Sequence, residues 1–406
     1  MYDIFEGKVK GLRKPMSRFS EKMRQFDVNE QSIAEFRELI IEEMERLEYD
    51  FVFDDQAGNI IGIIKGLTQG EDLMLVSHMD LFRAGTGRSG YFLTQGDLAP
   101  SPSTFKVGII SSIYSGAAIK NSLIPLNGDI IVCCVTRAEG CDLGIRHLFE
   151  RFLLKRTSKI KGAVLCEPTG LKVHLGHRGR LQYEIVIGGA IAENVVPNKR
   201  GVNMLGSMFP LINELEKVSA TLPHDTTLGD ATLMIHDVHF RDTCLGERAP
   251  EFRVAVDRTF VPFENPEAIL ERARSIATAV YPEKSSIATA LVKNKIRMQT
   301  GLETVMTNEF KPWLIQANDP FVLASLEVLR ENGFSADTEC WKRIVTEGSY
   351  ICGELHIPAI GFGAGSEVSQ DGGIRLDELE RAALGQGSIA LRNIGMPTFG
   401  WSCDEI

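Results

Sequence analysis

The feature that most restricts the fold is a set of short, apolar runs, each followed at once by a polar residue. Residues 73–80 read LMLVSHMD, residues 129–136 read DIIVCCVT, and residues 163–167 read AVLCE. A further run, IPAIGFG, begins at residue 357. Apolar stretches of this length, flanked by turns, suit strands covered on both faces. Between them lie segments of helical spacing. Residues 30–48 place Ile33, Phe36, Leu39, Ile40, Met44 and Leu47 on one stripe, and KVGIISSIYSGAAIKN and FVLASLEVLREN read as helices. Strands that alternate with helices imply an α/β fold with a mixed, mainly parallel sheet flanked by helices.

The chain has 406 residues, too many for one compact core, so two domains are expected. Near Gly179 the texture changes. LQYEIVI, ATLMIHDVHF and FRVAVDRTFV read as strands, while GVNMLGSMFPLINELEKV and NPEAILERARSIATAV read as helices. A small α+β domain over 181–293 is therefore expected, inserted into a domain built from 1–180 and 294–406. A formal net charge of −10 argues against nucleic acid or an anionic membrane as the main partner. The first residues, MYDIFEGKVKGLRKP, lack a signal-peptide run, and no segment has about 18 apolar residues in a row. A cytoplasmic protein is expected. The eight cysteines form no CxxC pair or disulfide framework.

In open α/β sheets, ligands bind beyond the carboxyl ends of the strands. The polar residues that close the apolar runs are thus the candidate site: His78 and Asp80, Glu139, Glu167, and Glu367, Gln370 and Asp371 in the loop AGSEVSQDGG. His78 and Asp80, at i and i+2, can share one face of a strand, and a carboxylate that holds the far nitrogen of an imidazole is usual at a metal ligand. One His with several carboxylates suits zinc or manganese better than a soft thiolate site would.

These landmarks, in this order, resemble the acetylornithine deacetylases, succinyl-diaminopimelate desuccinylases, aminoacylases and related dinuclear zinc exopeptidases, over nearly the whole chain. The resemblance implies that His78 binds zinc with Asp80 orienting it, and that Glu139 and Glu167 are metal carboxylates. Glu167 begins Glu167-Pro168-Thr169, and Gly176-His177-Arg178-Gly179 is similar to the family's G-H-K-G segment. It also implies a homodimer through the inserted domain, which closes over a small-molecule amide or amino-acid derivative.

The chain departs from the family pattern at the positions that carry chemistry. Thr104 stands where a carboxylate bridges two metals, Ala138 where the general base stands, and Glu193 where a lid His stabilises the tetrahedral intermediate. Asp371 falls in the slot of the last His ligand, and Thr259 in that of a lid Arg, with Arg258 one residue out of register. Two dications repel strongly without an anion between them, and loss of a positioned base costs about 10²–10⁴-fold in rate. At most one tightly bound zinc per chain, or none, is expected, with weak or absent hydrolysis. The alternatives are an active amidohydrolase with a relocated base (Glu139, Asp142 or Glu367), and a non-catalytic small-molecule-binding or regulatory dimer. A loop of different length would instead bring Asp97 to the bridging position. His177 reads as a structural residue at the domain hinge, and no nucleotide-binding loop is present.

Overall fold

The computed structural model describes residues 2–26, 33–79, 103–136, 142–153, 159–189, 206, 208–241, 251–281, 285–297, 301, 303–367 and 375–396. The chain forms two compact units, one of Met1–His177, Arg297–Glu303 and Trp313–Ile406, the other of Arg178–Ile296 and Thr304–Pro312.

The first unit opens with helices Tyr2–Gly11 and Arg13–Gln25. Phe5, Val9, Met16, Phe19 and Met23 recur at spacings of three, four and seven and are buried. The second helix ends where the buried Lys106 ammonium donates to the Met23 and Phe26 carbonyls, at 2.9 and 2.6 Å. A cation there satisfies carbonyls that the last turn leaves unpaired. The third helix, Ile33–Arg46, falls within the expected stretch.

The strands of this unit are β1 (Phe51–Asp54), β2 (Ile60–Ile64), β3 (Asp72–His78), β4 (Ile130–Val135), β5 (Ile160–Leu165) and β6 (Val173–His177). After the inserted segment come short strands at Trp313–Leu314, Thr338–Trp341 and Ala359–Gly361. Sheet order is β1, β2, β4, β3, β5, Ala359–Gly361, β6, Trp313–Leu314, with Thr338–Trp341 also on β6. The central four strands are mutually parallel, whereas β1, β2 and Trp313–Leu314 run antiparallel to their neighbours. The sheet is mixed and mainly parallel, as the apolar runs imply. Every residue of β2, β3 and β4 is buried, as strands covered on both faces must be. Helices Ser103–Ser122 and Leu376–Ile394 pack on β3 and on each other. Helix Pro320–Glu331 starts at an N-cap, Asp319, that accepts from the Phe321 amide.

In the second unit, β8 (His224–Asp225) and β9 (Gly229–Asp230) make a short antiparallel pair, and β7 (Gly179–Gly189), β10 (Leu233–Arg241), β11 (Glu251–Phe260) and β12 (Ser285–Leu291) form an antiparallel sheet in the order β10, β11, β7, β12. A short strand at Glu309–Phe310 returns to β7, which explains why 304–312 belongs to this unit. Leu181, Tyr183, Ile185 and Ile187 on β7, with Phe252, Val254 and Val256 on β11, put one face against Leu211, Leu215, Ile269, Ala273 and Ala277 of helices Phe209–Ser219 and Pro266–Val280. The period of two on the strands and of four on the helices accounts for this core. Among the described residues, no helix is long and apolar enough to cross a membrane.

Candidate functional site

His78 is the last residue of β3, and Glu167 lies two residues beyond β5. Backbone pairing carries both strands past their ends in step. The Met79 amide donates to the Val135 carbonyl and the Cys166 amide to the Val76 carbonyl, each at 2.7 Å. The two side chains therefore emerge at the same edge of the sheet. They are 7% and 3% exposed, and His78 Nε2 lies 3.3 Å from Glu167 Oε2.

The loop that carries Glu167 is fixed from several directions. The Thr169 hydroxyl donates to the Gly363 carbonyl at 3.1 Å and accepts from the Gly363 amide at 2.9 Å. The Leu171 amide reaches the same carbonyl at 3.0 Å, and the Trp341 indole donates to the Pro168 carbonyl at 2.9 Å. Two glycines allow this approach. A Cβ on Gly363 would sit 2.4 Å from the Glu167 carbonyl oxygen, and one on Gly108 would sit 2.2 Å from that of Cys166. No side chain fits in either place, so the helix Ser103–Ser122 and the Gly361–Gly365 loop close directly on the strand ends.

The separation of the two donors discriminates between roles. A charge-assisted N–H···O bond is about 2.7–2.9 Å long, and 3.3 Å exceeds that. Two ligands of one tetrahedral zinc, each about 2.0–2.2 Å from the ion, lie about 3.4 Å apart. His78 and Glu167 thus fit a shared ion better than a tight mutual hydrogen bond. Among the described residues, no group of three or more His, Cys, Asp or Glu side chains could hold a metal. Asp80, Asp97, Ala138, Glu139, Glu193, Gln370 and Asp371 lie outside the described residues. Thr104 is the second residue of helix Ser103–Ser122, and its side chain is likewise outside them.

The structure adds one polar group that sequence reading did not find, Asn59, and describes two of the candidate bases that it named, Asp142 and Glu367. Asn59, fully buried, donates to the Gly144 carbonyl at 2.8 Å and to Asp55 at 2.7 Å, and accepts from the Thr136 amide at 2.9 Å. One side-chain amide thereby joins Thr136 and Gly144, between which Ala138 and Glu139 fall. The only local signal is the polar turn Asp55-Gln56-Ala57-Gly58-Asn59 between two strands. Asp142 is buried, and burial first, then the nearby Glu347 and Glu354 carboxylates, push its carboxyl well above the usual range against the pull of Arg146. A carboxyl raised in this way holds its proton more tightly than a free one. Burial likewise pushes Glu367 up to about 7, although the amides of Lys342 and Arg343 favour its ionised form.

His177 is fully buried and edge-on to Trp313; the Thr346 amide donates to its Nε2 at 2.9 Å. That nitrogen is therefore an acceptor, which suits the structural role expected for this residue. His174 packs on Trp341, and burial lowers it to about 4.

In the inserted unit, strand alternation separates the three residues at the lid-Arg position. Asp257 faces Arg180, whose Nε donates to both carboxylate oxygens at 2.9 and 3.1 Å, and Gln182 donates to it at 2.8 Å. Thr259 is on the same face, bonded to the Thr232 amide and hydroxyl at 2.7 and 2.9 Å. Arg258 points to the opposite, helix-covered face and pairs with Glu264 at 2.6 Å. Thr259 and Arg258 are thus both engaged within the unit.

No protein-family model matches the chain. It is 26% identical over 373 residues, 89% of each chain, to YgeY of Escherichia coli (strain K12), a protein described as uncharacterized. Among solved structures it is similar to the aminopeptidase PepT of Bacillus cereus, with TM-score 0.64, 16% identity and 94% and 98% of the two chains covered. The di-peptidase Dug1p of Saccharomyces cerevisiae gives TM-score 0.66, 10% identity and 97% and 98% coverage. YXEP of Bacillus subtilis, described as a dinuclear metal binding peptidase, gives 0.61, 13%, and 94% and 98%. Identities this low speak for architecture alone. Over nearly its entire length, then, this chain has the α/β fold of these peptidases, with His78 and Glu167 at the carboxyl ends of its central parallel strands.

Proposed function

We propose that the chain is a metallopeptidase-like or amidohydrolase-like protein, related to the deacylases of N-acyl amino acids and small peptides, that holds one zinc between His78 and Glu167 and hydrolyses such amides slowly or not at all. The observation that carries this reading is the 3.3 Å separation of two buried donors at the carboxyl edge of the parallel sheet. A zinc held there would polarise an amide carbonyl and acidify a water. The protein's part is to fix the two donors: the Thr169–Gly363 pairing and the Trp341 indole hold the Glu167 loop, and β3 holds His78.

Slow or absent turnover follows from the residues at three positions. Thr104 supplies no charge to a second metal, Ala138 no proton acceptor, and Glu193 a charge that opposes a developing oxyanion. The test is hydrolysis of a panel of N-acetyl amino acids and dipeptides by zinc-supplied protein. Turnover at the rate of a base-containing enzyme, of order 10 s⁻¹, would refute the reading; absent turnover, or turnover at least about 10²-fold slower, agrees with it.

One observation favours a second reading, an active hydrolase with a relocated base. Glu367, raised to about 7, has the basicity suited to proton abstraction at neutral pH. In that case any measured rate rises with pH through about 7, and the Glu367→Gln protein loses that limb.

A further inference from the structure

Helix Leu376–Ile394 carries Gly385-Gln386-Gly387 in its middle, and Gln386 is fully buried. Glutamine is mostly exposed in folded proteins, and glycine weakens a helix interior. Close approach accounts for the two glycines. A Cβ on Gly385 would sit 2.2 Å from the Phe362 ring, and one on Gly387 would sit 2.1 Å from the Phe5 ring. The helix therefore lies directly against the Gly361–Gly365 loop, which holds the Glu167 loop through Thr169.

Gln386 commits both hydrogens of its amide. Its Nε2 donates to the Phe362 carbonyl at 3.1 Å and to the Ser111 hydroxyl at 3.0 Å, and Ser111 donates onward to the Gly108 carbonyl at 3.3 Å. One side chain thus ties together the two close contacts that flank the metal donor: Gly108 against the Cys166 carbonyl, and Gly363 against that of Glu167 itself. The Oε1 atom of Gln386 is buried with no hydrogen-bond partner among the described residues. A methionine of similar length would fill the space without that cost, so packing alone does not account for the residue, whereas its two donations do. A second anchor comes from the first turn of the same helix, where the half-buried Glu378 accepts from the Gly365 amide at 2.7 Å.

We propose that Gln386, with Glu378, is a positioning residue for Glu167: by fixing the Gly361–Gly365 loop and the Ser111 turn, it sets where the Glu167 carboxylate stands relative to His78. This rests on the reading of His78 and Glu167 as zinc donors.

Gln386→Met, which keeps length and packing and removes both donations, tests it on the full chain by three readouts. Zinc affinity, by competition with a chelator, falls about ten-fold. Cobalt(II) in place of zinc gives a visible band that reports the donor arrangement; in metal-saturated Gln386→Met the band shifts, which a role in stability alone would not cause. Amide hydrogen exchange becomes at least about ten-fold faster at Gly363 and Leu171, and is unchanged in β7. Glu378→Ala, at a half-buried position, changes the same readouts in the same direction. Ser388→Ala, which removes a buried hydroxyl of the same helix, changes none of them. Unchanged exchange at Gly363 and Leu171 in Gln386→Met, or in Glu378→Ala should the first variant not fold, overturns the proposal, as does an unchanged cobalt band. Wild-type protein that binds neither metal refutes the zinc reading instead, and the exchange readout then decides by itself whether Gln386 holds the Glu167 loop.

Discussion

Two buried pairs of opposite charge type, one in each unit, are built in contrasting ways. In the inserted unit, Asp257 receives Arg180 through both oxygens, then Gln182, whose own carbonyl accepts from Asn308 at 2.6 Å, which in turn accepts from Asn294 at 2.6 Å. Each of these groups is met by another of the same unit. In the first unit, His78 and Glu167 stand 3.3 Å apart, too far for a tight ionic bond and close to the spacing of two donors around one ion. Equal burial thus has two meanings. A pair satisfied by its own neighbours is architecture, and the wider pair is the one we propose as a site.

The largest expected effect breaks the architectural pair. Asp257→Ala strands a buried guanidinium and should cost about 3–5 kcal/mol in urea unfolding. A loss below about 1 kcal/mol would show that the inserted network is not what holds that sheet. A second effect concerns acid. His174 is lowered to about 4 by burial, below its unfolded value of about 6.5. The unfolded chain then binds the proton first as pH falls, so this residue's contribution is present above pH 6.5 and is lost down to pH 4. The loss is on the order of 3 kcal/mol. Unfolding midpoints measured across that window, in wild type and His174→Phe, isolate it, because the variant has no such slope.

Smaller effects sharpen the reading of the site. Gly363→Ala puts a methyl group 2.4 Å from the Glu167 carbonyl oxygen. It should cost about 1–3 kcal/mol of stability and weaken zinc binding by about 10–100-fold, measured by competition with a chromogenic chelator. The smallest expected effect is none. Ala138→Glu alone should leave hydrolysis unrestored, because Thr104 still supplies no bridging charge. Full activity in that variant would show that Thr104 is no handicap.

The sequence discloses most where one physical term dominates. Strands β3, β4 and β5 are legible because both faces are buried, which writes an unbroken apolar run into LMLV, IIVCCV and AVL. The inserted sheet is legible because only one face is, which leaves alternation in LQYEIVI. His78 and Glu167 are legible as candidates because they close such runs. Their 3.3 Å meeting is not, since it depends on β3 and β5 pairing across 89 residues. The Asn59 bridge and the Trp341–Pro168 bond are long-range in the same sense. The first two helices carry a helical stripe in Phe5, Val9, Phe19 and Met23, among charged residues that dilute it.

The most direct measurement is zinc content per chain after supply of zinc and removal of excess, made on wild type and Glu167→Gln and combined with an anomalous difference map. One ion bound by His78 Nε2 and Glu167, and lost in Glu167→Gln, is the predicted result. Two ions joined by a carboxylate, an ion that survives Glu167→Gln, or no bound zinc would contradict it.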